Sequence, residues 1–137
     1  MNVIVLEPDQ LDRMILYRAV NKIRKNATFF SVENEMHLIR TLREGVGDVV
    51  FLCANQGNVE TVLKTVHSIR IMRSEIPIIL LSLGINELQI VKLIKAGASE
   101  LIPKHVLSVD FLDLTLQKLD CWILINIFLR KRTGESS

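Results

Sequence analysis

Strand and helix signals alternate along this chain, and they predict an α/β fold built on a doubly wound, five-stranded parallel sheet. Three observations carry that expectation. Short apolar runs recur five times, at residues 3–6, 28–32, 49–53, 78–81 and 101–102. The first, third and fourth are nearly continuous in Val, Ile and Leu, as strands covered by helices on both faces must be. The segments between the runs carry apolar residues at helical spacing, and such alternation builds right-handed βαβ units.

The elements follow in order. The first run ends in the turn Glu7-Pro8-Asp9, after which Leu11, Ile15, Ala19 and Ile23 recur every four residues as one helical stripe. The second run, TFFSV, precedes a shorter helix marked by Leu38, Ile39 and Leu42, which stops at Gly45, a residue suited to the left-handed position after a helix. Gly45-x-Gly47 then reads as turn chemistry leading into the third strand. That strand runs through Cys53 into the polar loop Asn55-Gln-Gly-Asn58. Val59, Val62, Leu63, Val66 and Ile69 form the next helical stripe, and Ile90, Leu93 and Ile94 another after the fourth strand.

The last helix starts near Ser108, a suitable N-cap with Asp110 in the first turn, and extends to about residue 132. Phe111, Leu112, Leu116 and Leu119 make its first half amphipathic. Its second half, CWILINIFL, is apolar on every side, and such a helix needs more cover than one sheet face provides. Three covers are open: the sheet with its neighbouring helices, a second copy or partner, or a membrane surface assisted by Arg130, Lys131 and Arg132. The helical seam expected for a homodimer comprises Leu112, Leu116, Leu119, Trp122, Ile123 and Ile127. Residues 1–120 form the domain, and 121–137 are the helix extension and a frayed tail.

Composition narrows the function classes. At 137 residues the chain suits one domain, able to bury roughly two-thirds of its unfolded surface without disulfides or metals. Hydrophobic residues are 49% and charged residues 23%, which argues against disorder. A net charge of +2, with no basic stripe interleaved with aromatics, gives no sign of direct nucleic-acid binding. Cys53 and Cys121 fit neither a metal motif nor a disulfide framework, and the N-terminus lacks a basic segment, so a cytoplasmic setting is expected. The longest apolar run, 121–129, is about half of the ~20 residues a spanning helix needs.

In an open α/β sheet, ligands sit beyond the carboxyl ends of the strands. The first strand–helix turn, LEPDQL, has no glycine to admit a pyrophosphate, which argues against a dinucleotide site. There is no Walker A sequence and no Gly-x-Ser-x-Gly elbow. What remains at the strand ends is Glu7-Pro8-Asp9, Cys53-Ala54-Asn55, Ser82 and Lys104-His105.

This set, with the segments PIILLS and GASELIPK, resembles the receiver domain of two-component response regulators over residues 2 to about 120. The resemblance implies a flavodoxin-like (βα)5 fold. In that family two adjacent acids after the first strand hold Mg²⁺, and an Asp ending the third strand accepts phosphate. A carbonyl two residues later completes the metal site, and a hydroxyl and a lysine bind the phosphoryl oxygens. By resemblance Glu7 takes the first acidic position and Pro8 the second. Cys53 takes the phosphoacceptor position, Asn55 the carbonyl position, and Ser82 and Lys104 keep their types. Leu101 stands at the switch position usually held by an aromatic, and His105 replaces a proline.

Mg²⁺ wants hard oxygen donors, which neither Pro8 nor a thiol supplies, so its binding is expected to be weak or absent, with no other cofactor. The expected function is a non-enzymatic pseudo-receiver that signals through protein partners, as a homodimer through the last helix. Two alternatives stand beside it. One is a thiol-redox or small-anion sensor using the pocket around Cys53. The other is the N-terminal regulatory module of a transcription regulator. The bland reading of Lys104 is an ion pair with Glu7 or Asp9, and that of Ser82 is a backbone hydrogen bond.

Overall fold

The computed structural model describes the backbone of residues 1–132 and the side chains of residues 1–119 and 128. In chain order the elements are β1 (Asn2–Leu6), α1 (Gln10–Ile23), β2 (Thr28–Ser31), α2 (Glu35–Arg43), β3 (Val49–Asn55), α3 (Val59–Met72), β4 (Ile78–Leu83), α4 (Glu87–Ala96) and β5 (Glu100–Pro103). A 3-10 turn (Lys104–Val106) and the long α5 (Val109–Arg132) complete the described chain. All five strands are parallel, in the order β2-β1-β3-β4-β5. This is the flavodoxin-like doubly wound order, with its switch point between β1 and β3.

Strand side chains alternate between the two sheet faces, and each face has its own core. Ile4, Val50, Leu52, Ile78 and Leu80 meet Leu38, Leu42, Val62, Val66 and Leu93 of α2, α3 and α4. On the opposite face Val3, Val5, Phe51, Ile79 and Leu81 meet Leu16, Ala19 and Val20 of α1 and Leu112 and Leu116 of α5. Full burial of each such side chain stabilises the fold by about 1.5–3 kcal/mol. Because β1, β3 and β4 are covered twice, nearly every residue in them is apolar and buried.

Several expectations need correction here. Leu11 is 66% exposed, and the inward face of α1 is Leu16, Ala19 and Val20. A strict four-residue repeat drifts around a helix of 3.6 residues per turn, so the regular stripe could not all face one way. On α4 only Leu93 is buried, and Ile94 lies exposed. Leu112 and Leu116 belong to the domain's own core, with Leu119 packed against it, so the first half of the expected helical seam is already spent on the sheet. Phe111 is exposed instead. Trp122, Ile123 and Ile127, the rest of that seam, lie outside the described side chains. The domain boundary drawn at residue 120 falls within continuous α5, and the tail from 133 lies outside the described residues.

Local signals explain the helix starts. Asp9 caps α1 by accepting from the Asp12 amide (2.9 Å), and Asn34 caps α2 by accepting from His37 (2.8 Å). Asn86 and Gln89 form a reciprocal capping box on α4. The Ser108 hydroxyl accepts from the Phe111 amide (3.0 Å), as its position before α5 leads one to expect. Gly97 ends α4 at φ 125°, where a Cβ would strike the side chain of Arg70, which donates to the Gly97 carbonyl (2.9 Å). Among the described residues, no helix is long and apolar enough to cross a membrane.

Candidate functional site at the carboxyl edge of the sheet

The parallel ladders bring four strand ends to one edge. Leu6 pairs with Leu52, and the next residues along are Glu7 and Cys53. Ala54 pairs with Ser82, which in turn pairs with Pro103, the residue before Lys104. Alternation places Glu7 and Cys53 on the α1/α5 side, following Val5 and Phe51, whereas Ser82 follows Leu80 toward α2–α4.

Glu7 and Lys104 are the electrostatic centre. The Lys104 ammonium lies 2.8 Å from Glu7 Oε1 and 3.1 Å from Asp12 Oδ2, with the Glu7 side chain fully buried and that of Lys104 only 12% exposed. Glu7 Oε2 accepts from the Asp9 amide (3.0 Å). Burial works against the charged lysine, but its hydrogen bonds to Glu7 and Asp12 outweigh that and hold it above the ordinary lysine range. Of the two partners expected for Lys104, Glu7 or Asp9, it pairs with Glu7. Asp9 faces the α1 terminus instead, and Asp12, one helical turn on, takes its place. Position three of a capped helix often carries an acid, and that was the available sequence signal.

Arg13 is the second residue that sequence reasoning missed. Its guanidinium donates to the carbonyls of Glu7 (2.7 Å) and Pro8 (3.0 Å), which fixes the turn carrying Glu7. Pro8 itself is exposed and offers no side-chain oxygen.

Cys53 is buried, and its Sγ lies 3.9 Å from Asn55 Nδ2. Desolvation, reinforced by the negative charge of Glu7, raises the thiol pKa, and the opposing effect of Lys104 is smaller. A reactive thiol needs the reverse, an electropositive and accessible setting. The β3–α3 loop is closed by its own amides. Asn55 Oδ1 accepts from Gly57 (2.8 Å) and Asn58 (3.1 Å), and Asn58 returns bonds to the Asn55 amide (2.7 Å) and the Cys53 carbonyl (3.0 Å). The Asn55 carbonyl accepts from the Asn58 amide (3.2 Å).

Ser82 is buried near the carboxyl end of β4. Leu101 packs partly buried against the α2–α4 core, and His105 is exposed in the 3-10 turn. An open cleft of about 490 Å³ lies over β1 and β3, lined by Glu7, Pro8, Arg13, Glu33, Cys53 and Asn58 among others. Neither Ser82 nor Lys104 lines it, so the site is split. With Glu7 neutralised by Lys104, Glu33 and Glu35 against Arg13 leave the cleft a poor host for an anion.

The donor set does not fit a divalent magnesium ion. Octahedral oxygen coordination would draw on Glu7, position 8, position 53 and the Asn55 carbonyl. Glu7 is committed to the Lys104 ammonium, Pro8 has no donor and Cys53 is a protonated soft ligand. Of the four, only the Asn55 carbonyl, which accepts one bond from Asn58 and keeps a second lone pair, could serve. Lys104 supplies internally the positive charge that a cation would bring.

No protein-family model matches the sequence, and no characterised protein matches it by sequence. Solved structures do match the fold. A response regulator from Thermotoga maritima superposes with a TM-score of 0.73 at 23% identity, over 86% of this chain and 95% of its own. One from Hahella chejuensis gives 0.71 at 19%, over 91% and 96%. The receiver domain of the sensor histidine kinase PA1611 from Pseudomonas aeruginosa PAO1 gives 0.69 at 14%, over 89% and 96%, and carries magnesium in its active-site cleft. At these identities the likeness establishes a CheY-like receiver fold.

Proposed function

We propose that this chain is a receiver-fold signalling module that works by phosphorylation-independent contacts with protein partners in the cytoplasm, without catalysing a reaction. One observation carries the reading. At the carboxyl edge of the sheet Lys104 closes on Glu7 and Asp12, beside a proline and a protonated thiol. With neither a free acid pair for the metal nor a carboxylate at position 53 for the phosphoryl group, the site has no route to an acyl phosphate. The raised thiol pKa disfavours a redox sensor, and the acidic cleft disfavours an anion sensor.

The module acts as a homodimer through α5. The seam is its outward face, where Phe111 is 40% exposed and Leu114 64%, because Leu112 and Leu116 are already buried. Titration of the labelled chain with Mg²⁺ and beryllofluoride tests the pocket. Amide shifts around Glu7, Cys53 and Lys104 are expected to stay unchanged, and saturable shifts there would refute the reading. Adding Pro8→Asp and Cys53→Asp together is expected to restore a Mg²⁺ response that Cys53→Asp alone does not. Sedimentation of the full chain tests the seam: Leu114→Asp is expected to give monomer from dimer, and a wild-type monomer would remove the dimer from the proposal.

A further inference from the structure

The helical layer over α2 and α3 carries a second surface, independent of α5 and of the phosphorylation question. A groove of about 450 Å³ runs between these helices, with Ile39 and the buried Thr65 along it and Met36, 84% exposed, at its upper end. Arg40, Arg43 and Lys64 border it, against the single carboxylate of Glu35. All three cations are exposed, and none forms an ion pair with a described residue. Glu60 and Glu44 stand close by in sequence but do not line the groove.

The groove does not end at Arg43. That residue also lines the adjoining depression that contains Ile71, itself 74% exposed. At the other end Glu35 is shared with the cleft over Glu7 and Cys53. The result is a trough with apolar contacts at both ends and positive charge between them. From Glu35 to Arg43 it is about 12 Å long at 1.5 Å per residue, the length of two helical turns.

We infer that this trough binds an acidic amphipathic helix of a partner protein. Apolar side chains at i, i+4 and i+7 would lie between Met36 and Ile71, with flanking carboxylates on Arg40, Arg43 and Lys64. The arginine forks suit bidentate carboxylate recognition. A concave groove receives a ridge of side chains, whereas a bilayer is met by a convex or flat face with projecting apolar groups. Two copies joined groove to groove about a two-fold axis would set these cations against each other, which disfavours self-pairing here.

The test uses the full-length, ¹⁵N-labelled chain. The probe is a synthetic helical peptide with leucines at i, i+4 and i+7 and glutamates at the flanking positions. Its counterpart carries lysines in place of the glutamates. Shifts are expected to be confined to residues 35–43 and 61–71, to weaken with salt, and to be absent with the lysine peptide. Arg40→Glu with Arg43→Glu is expected to weaken binding about tenfold or more, as lost or reversed charge pairs do at other interfaces. Both positions are exposed, so circular dichroism of the variant should match the parent, with melting lowered only by the lost cations in the last turn of α2. Arg40→Gln with Arg43→Gln, which reverses no charge, should also weaken binding. Absence of binding, equal binding of both peptides, shifts on another face, or an unaffected variant would each overturn the inference. So would Arg40- and Arg43-dependent sedimentation with phosphatidylserine vesicles that the acidic peptide fails to displace, or loss of self-association in that variant.

Discussion

The carboxyl edge of the sheet is held closed in two different ways, and the contrast separates buried charge from exposed amides. Over β1 and α1 the closure is ionic and dry: Glu7 is fully buried and holds Lys104 at 2.8 Å. Over β3 and β4 it is neutral and wet. The Gln56 side chain donates to the Gly84 carbonyl and exchanges hydrogen bonds with Gln89 (3.2 and 3.3 Å), joining the β3–α3 loop to the first turn of α4. Removing one partner of a buried ion pair strands the other charge, whereas an exposed amide returns to water at little cost. The ionic side therefore defines the shape of the edge, and the amide side adjusts the position of α4.

The largest effect expected from this contrast is that of Lys104→Ala. It should destabilise the chain by about 3–5 kcal/mol in urea titration, because Glu7 is left buried without its cation. Combining Lys104→Met with Glu7→Gln should recover much of that loss. A cost below about 1 kcal/mol for Lys104→Ala would place the pair among weak surface bridges and erase the difference between the two sides.

A smaller effect is expected at alkaline pH, and its sign is set by the proton that the native state retains. The thiol of Cys53 holds its proton more tightly in the folded than in the unfolded chain, so stability is full below about 8.5 and falls as pH rises through the native value. Lys104 is likewise raised, and its contribution is lost only above about 10.4. The unfolding free energy from urea titration between these limits should decline by up to roughly 1.4 kcal/mol per pH unit in the parent, and Cys53→Ala should remove that slope. An unchanged slope would mean that Cys53 is not the group responsible.

The smallest effect is that of Gln56→Ala, expected to cost under about 1 kcal/mol. Its signature is local: amide exchange should quicken at Gln89 and Ile90, whose amides are held by Asn86 in the first turn of α4, with β1 unaffected. Equal acceleration over β1 would show that the two sides are not separate.

The fold was legible because its signals are redundant. Continuous apolar runs in β1, β3 and β4, each set between helical stripes, read as doubly covered strands, and Ser108 marks the start of α5 through a hydroxyl that accepts an orphan amide. The site was legible in part. Glu7, Cys53 and Lys104 follow from their positions at strand ends, but the choice of Asp12 over Asp9 depends on which acid caps α1. Both lie in the same turn, and only the helix direction decides between them. Arg13 was missed because it binds carbonyls, which leave no mark in a sequence. The inward face of α5 was misjudged for another reason. Apolar residues occur around most of the helix, so periodicity alone cannot say which of them the sheet takes.

The most direct test of the central claim is the intact mass of the chain after incubation with acetyl phosphate and Mg²⁺. A single unmodified species is expected, identical to the untreated chain. A covalent adduct of one phosphoryl group, lost at alkaline pH as an acyl phosphate is, would contradict a module that signals without phosphorylation.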